Sequence, residues 1–376
     1  NNFIAHKAKK LAADVRFPYV SLPFYFSAVH KCFRRHKSKL QHQCFLREPR
    51  RSTVMKKAMK KLMVAGVLCM AGAAFLAGCG SDSSSGGKQF LNIATGGTAG
   101  TYYPLGGALA EILNQNIKGM NASAQSTGAS VANVNMLKDG SVDIAFIQND
   151  IAYYAANGKE MFKDNKVDSL RGLAALYPET IQFVTTQDKG IKTIADLKGK
   201  KVAVGASGSG AEANARQILE AYGITYNDID VQYLSFGEAV DALKDGNVDA
   251  GVVVAGFPTA AVQDLAANKS AAIVDIDPKI SDQLMQKYPY YTKMVIPKGT
   301  YPGQTEDVNT VAVKCVIVGT TKLSDEMGGE IVKALYTHLD RMKAAHAVGK
   351  YITKDTALEG MSIQMNAGAE KYLKSN

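Results

Sequence analysis

The chain has 376 residues, with 44 Lys and Arg against 34 Asp and Glu, a formal net charge of +10. That length gives two or three domains at roughly 100–200 residues each. The charge suggests a nucleic-acid or membrane partner, but residues 1–78 hold 16 of the basic residues and only 2 acidic ones, and the chain from Cys79 onward has 28 basic and 32 acidic residues, a net of −4. The basic character belongs to the leader, so a nucleic-acid partner is excluded for the folded part.

In chain order, residues 1–54 are rich in Lys, Arg and His without periodicity, and they precede the first methionine, Met55. They read as a non-native upstream extension. Residues 55–78 follow the order of an export signal. Lys56, Lys57, Lys60 and Lys61 form a positive start, and Leu62–Leu76 is an apolar run of 15 residues, short of the roughly 20 that a membrane span needs. The run ends in Leu76-Ala77-Gly78-Cys79, which resembles the bacterial lipoprotein box. Cleavage there leaves Cys79 as the lipidated first residue, anchoring the protein to a membrane outside the cytoplasm. Residues 79–89 read as a flexible Ser/Gly tether. Gly87-Lys88 hints at a phosphate loop, but Gln89 stands where Ser or Thr is required.

From Phe90 short apolar runs alternate with amphipathic stretches, the pattern of an α/β fold. The first unit reads as strand Leu91–Thr95, a glycine-rich loop from Gly96 to Thr101, helix Leu105–Asn116, strand Asn121–Ser126, helix Ser130–Lys138 and strand Val142–Gln148. The order returns as strand Lys201–Gly205, the loop Ala206–Gly210, helix Ala211–Tyr222, strand Asp230–Leu234, helix Gly237–Lys244 and strand Val248–Ala255. One stretch is a literal echo. Leu137-Lys138-Asp139-Gly140-Ser141-Val142-Asp143 recurs 106 positions later as Leu243-Lys244-Asp245-Gly246-Asn247-Val248-Asp249. Such a period is too long for a solenoid and suits two similar lobes facing a cleft. Each unit sets a glycine-rich turn between a strand's carboxyl end and a helix start, where backbone N–H groups and the helix dipole attract an anion.

The segments Ile93-Ala94-Thr95-Gly96-Gly97-Thr98-Ala99-Gly100-Thr101-Tyr102-Tyr103-Pro104, Ser126-Thr127-Gly128-Ala129-Ser130, Ile144–Asp150, Leu197–Gly210 and Ala255-Gly256-Phe257-Pro258-Thr259 together resemble the TAXI family. These are the TRAP-associated extracytoplasmic immunogenic solute receptors of tripartite ATP-independent periplasmic transporters. The resemblance runs from about Phe90 to the end. It departs at Asn366-Ala367, where the family often has a His-Pro pair, and no arginine lies in the matched loops. It implies an α/β periplasmic-binding-protein-like fold, type II-like, with two lobes, a hinge and a central cleft. It also implies capture of a small carboxylate, glutamate or a related dicarboxylate, and delivery to a TRAP-type membrane permease driven by an ion gradient. No cofactor and no metal enter this reading.

The lobes are expected at 90–183 plus 309–376 and at 184–308, with crossing points in Thr180–Thr186 and Thr310–Val318. Candidate ligand-binding residues are Gly97, Thr98, Tyr102, Ser126, Gln148, Ser207, Gly208, Ser209 and Gly256, with Tyr103 and Tyr301 as possible cleft walls. Hydroxyls and amides at strand ends can orient a carboxylate or an α-amino group. Cys315, the single cysteine after Cys79, lies in a strand-like run and reads as a buried thiol. The main rival is an α/β enzyme. Gly208-x-Gly210-x-x-Ala213 could bind a dinucleotide, but the next strand ends in Leu234-Ser235 without the acidic residue that holds a ribose. There is no Gly-x-Ser-x-Gly elbow, and no histidine lies between His42 and His338. A receptor docking on a membrane sensor is the other alternative.

Overall fold

A computed structural model describes residues 89–375. The upstream extension, the signal peptide, the lipid site Cys79 and all of the tether but Gln89 lie outside the described residues.

The first unit forms β1 (Gln89–Ala94), α1 (Tyr102–Asn116), β2 (Met120–Gln125), α2 (Ser130–Asp139), β3 (Ile144–Gln148) and α3 (Asn149–Asn157). A long strand, β4 (Leu170–Thr186), leads away from it. The second unit forms β5 (Lys201–Ala203), α4 (Gly210–Ala221), β6 (Asp230–Gln232), α5 (Phe236–Lys244), β7 (Ala250–Ala255), α6 (Ala260–Asn268), β8 (Ala271–Val274), α7 (Pro278–Lys287) and β9 (Thr292–Ile296). Strand β10 (Val308–Thr320) returns, and α8 (Asp325–Thr337), α9 (Leu339–Ala345) and α10 (Ala367–Lys374) close the chain.

The strand order β2-β1-β3-β10-β4-β7-β5-β6 contains the same arrangement twice. In each unit the first strand lies between the second and third, all parallel, and the third pairs with an antiparallel strand. Strands β4 and β10 change partners midway. β10 pairs with β9 at Val308–Ala312 and with β3 at Cys315–Val318. β4 pairs with β10 up to Thr180 and with β7 from Thr180 to Thr185. Two antiparallel strands thus join two α/β lobes, which is the expected two-lobed fold with its hinge.

Each lobe has its own apolar core. Ile93, Leu109, Phe146 and Leu335 are buried together in the first, and Val202, Ile218, Val252 and Leu284 in the second. The literal echo has a physical cause. Gly140 and Gly246 follow their helices at φ +82° and +76°, the left-handed region that glycine enters without a Cβ clash. Asp143 then exchanges two bonds with Asn92, its N–H donating to Asn92 O at 3.0 Å and its carboxylate accepting from Asn92 N at 2.7 Å. Asp249 does the same with Lys201, at 2.8 and 3.0 Å. The repeated Leu-Lys-Asp-Gly-x-Val-Asp therefore ends a helix and locks the third strand of each lobe onto the first.

Some boundaries differ from expectation. Helix α1 starts three residues before Leu105, because Pro104 sits in its first turn, where a missing N–H costs nothing. Strands β5 and β6 are shorter than read, since only Lys201–Ala203 and Asp230–Gln232 pair with each other.

Candidate functional site

A cavity lies between the lobes and opens to solvent. Four helices begin on it. Thr101 and Tyr102 bring the start of α1, Ala129 and Ser130 that of α2, Ser209, Gly210 and Ala211 that of α4, and Ser235 and Phe236 that of α5. Two come from each lobe. The first-turn N–H groups of a helix have no partner within it, and the dipole adds positive potential there. Ser209 and Ser235 cap their helices by accepting from Glu212 N and Glu238 N.

The polar floor comes from strand ends. Gln148 closes β3 and is 2% exposed; its N–H donates to Ser130 Oγ at 3.2 Å. Its Oε1 has no hydrogen-bond partner, and neither does the buried Tyr177 hydroxyl. Glu179, on β4, is 2% exposed and accepts from Tyr102 OH at 2.6 Å. Burial pushes its carboxyl up to about 8. None of the lining residues is Lys, Arg or His, and Glu179 is the one carboxylate among them. Ala129 holds φ +69° and ψ −150° at the wall, a conformation costing about 1–3 kcal/mol. Thr127 Oγ1 accepts from Ala129 N at 3.0 Å and donates to Asn133 Oδ1 at 2.6 Å, which helps to hold that turn.

The lobes touch across both rims. Ala132 N–H donates to Gly208 O at 3.1 Å on one side, and Ala261 N–H donates to Ala99 O at 3.2 Å on the other. Behind the cavity Asn214 donates to Asp150 at 2.9 Å, Tyr291 donates to Gln217, and Gln217 donates to Tyr154. Burial raises Asp150 to about 6. Gly210 is pressed against Gln148 so closely that a Cβ there would fall 1.7 Å from Gln148 Oε1. The cleft is closed in this structure.

Of the residues singled out by sequence, Gly97, Tyr102, Gln148 and Ser209 line the cavity. The other five do not. Thr98 and Ser207 are exposed, and Ser126 turns its hydroxyl onto Gly96 O at 2.9 Å. Gly208 forms the rim contact with Ala132, and Gly256 lies one residue beyond the lining, its carbonyl accepting from Thr259 and Thr101. The Ser126 hydroxyl is thus spent on a nearby backbone oxygen instead of the cleft. Tyr301 is buried and donates to Gln182 at 2.6 Å, and Tyr103 is exposed; neither lines the cavity. Sequence reasoning missed Glu179, Tyr177, Ser130 and the start of α5. The available signal was an acidic residue inside the apolar run Leu170–Thr186. Cys315 is buried beside Glu179, and burial raises its thiol, which makes it a poor nucleophile.

A model of the NMT1-like family matches residues 93–376. The chain belongs to the NMT1-like family. Among curated proteins, the putative aliphatic sulfonates-binding protein of Escherichia coli (strain K12) is 34% identical over 85 residues, 23% of this chain and 26% of that protein. The chain thus matches about a quarter of that relative's length. Among solved structures, the alkanesulfonate-binding protein of Xanthomonas axonopodis pv. citri bound to MOPS is 18% identical with a TM-score of 0.44, covering 76% of this chain and 83% of that one. A putative L-cystine ABC transporter from Listeria monocytogenes is 16% identical with a TM-score of 0.45, covering 71% and 97%.

Proposed function

We propose that this member of the NMT1-like family is an extracytoplasmic solute-binding protein that closes two lobes, 90–183 plus 309–376 and 184–308, around a small anionic solute. One observation carries the reading. Four helix N-termini from both lobes meet at one cavity without a basic side chain. A carboxylate placed there would take N–H bonds from each lobe and favour the closed state, which is the differential affinity that closure requires. The resemblance to TAXI receptors supports glutamate or a related dicarboxylate as the solute and a TRAP-type permease as the recipient. The name of the sulfonate-binding relative makes a sulfonate the second anion to test. The export signal and box support attachment through Cys79; equal fatty-acid labelling of the parent and Cys79→Ala would contradict it.

A thermal-shift screen of the full chain against amino acids, C4–C6 diacids, alkanesulfonates and sugars tests the reading. An anion should stabilise the protein by about 2.7 kcal/mol at a hundredfold excess over Kd. A sugar or a cation as the sole hit would refute it.

A further inference from the structure

The cavity is lined by two kinds of polar group. The helix starts supply donors, which suit an anion. Glu179 supplies an acceptor. The groups facing the Glu179 carboxyl are Tyr102 from α1, Gln148 from β3, Tyr177 from its own strand and Cys315 from β10, with Asp150 of α3 adding negative charge from further off. None is basic. A buried carboxylate is ordinarily paired with a cation, and here the protein provides none. Gln148 Oε1 has no donor either, but it is packed against Gly210 of the other lobe. A plain anion would satisfy the helix ends and leave the Glu179 carboxyl facing it.

We infer that the solute is a zwitterion, carrying a protonated amine beside its anion, and that the Glu179 carboxylate receives the ammonium while the helix N-termini receive the anion. The inference rests on the solute-binding reading and narrows it. Glu179 is then the residue that separates amino acids and amino sulfonates from their amine-free counterparts. The competing arrangement is a protonated Glu179 donating to a second carboxylate of a diacid, and the two respond to pH in opposite ways. With its carboxyl at about 8, the empty site is largely protonated at neutral pH. An ammonium ligand displaces that proton, so its affinity rises as pH approaches 8. A diacid that needs the proton binds more weakly over the same interval.

The test is calorimetric titration of the full chain with two matched pairs, L-glutamate against glutarate and taurine against ethanesulfonate, near neutral pH and one unit higher. In at least one pair the amine-bearing member should bind roughly thirtyfold tighter or more, and tighter still at the higher pH. Glu179→Gln, an isosteric change, should erase that preference while its ligand-free melting temperature stays at or above the parent's. If the amine-free member binds equally well or better, or if Glu179→Gln keeps the preference, the inference is overturned and the solute-binding reading stands. If no member of either pair binds, the inference is overturned, and the solute-binding reading is decided by the wider thermal-shift screen. The matched pairs and the pH response are read on the parent protein, so the inference stays falsifiable should the variant fold poorly.

Discussion

Gly210→Ala should cost the protein its ligand while leaving the ligand-free fold intact. The position opens α4, where alanine is a good helix residue. Its backbone φ is not in the left-handed region, so alanine brings no strain of its own. The added Cβ matters where the lobes meet, because it would lie 1.7 Å from Gln148 Oε1, 2.5 Å from Gln148 Cδ and 3.1 Å from Ile151 Cγ1. Gln148 and Ile151 belong to the first lobe and Gly210 to the second, so opening the cleft relieves the overlap at once. The overpacking cost of about 1–3 kcal/mol therefore falls on the closed state alone. Affinity for any solute that requires closure should drop roughly 5- to 150-fold. Thermal melting without ligand, followed by titration with the strongest binder of the parent, checks both halves. Unchanged affinity would show that this contact is no part of the bound state.

Glu179→Gln should raise the stability of the ligand-free protein, increasingly so with pH. Burial lifts the folded-state carboxyl from 4.5 to about 8. The unfolded chain therefore gives up this proton near pH 4.5, while the folded chain keeps it until about pH 8. Between those limits the folded state binds the extra proton, so the parent loses stability as pH rises, and above about pH 8 the loss is complete. Over the full window the effect is about 3–5 kcal/mol. The neutral amide of the variant has no such slope. Asp150, also raised by burial, titrates in both proteins, so the difference between their melting curves isolates Glu179. A difference that stays flat from pH 5 to pH 8 would contradict the burial argument. A carboxyl kept without a cation at this cost gives up stability that, under the proposed function, a ligand restores.

Much of the fold was legible because its determinants are local. The glycines after α2 and α5 and the aspartates that lock β3 and β7 to their neighbours recur as one heptapeptide, and the duplicated lobes follow from it. Gln148 was legible because a polar residue directly after four apolar ones marks the end of a strand. Thr98, Ser126 and Ser207 were placed in the cleft by their positions after strands, yet the Ser126 hydroxyl bonds to Gly96 O, and Thr98 and Ser207 sit exposed on their loops. Glu179 was hidden for the opposite reason. It sits inside β4, and its partner Tyr102 is 77 residues away in sequence. Only the closing of two lobes over the crossing strands brings the carboxyl to the four helix starts.

Hydrogen exchange read at single backbone amides, with and without saturating L-glutamate, tests the central claim most directly. The claim is that the N–H groups opening four helices bind the solute's anion. Protection should rise together at Thr101–Tyr102, Ser130, Gly210–Ala211 and Phe236, in both lobes. Exchange at all four helix starts unchanged by a bound ligand, or protection confined to a surface away from the cleft, would contradict it.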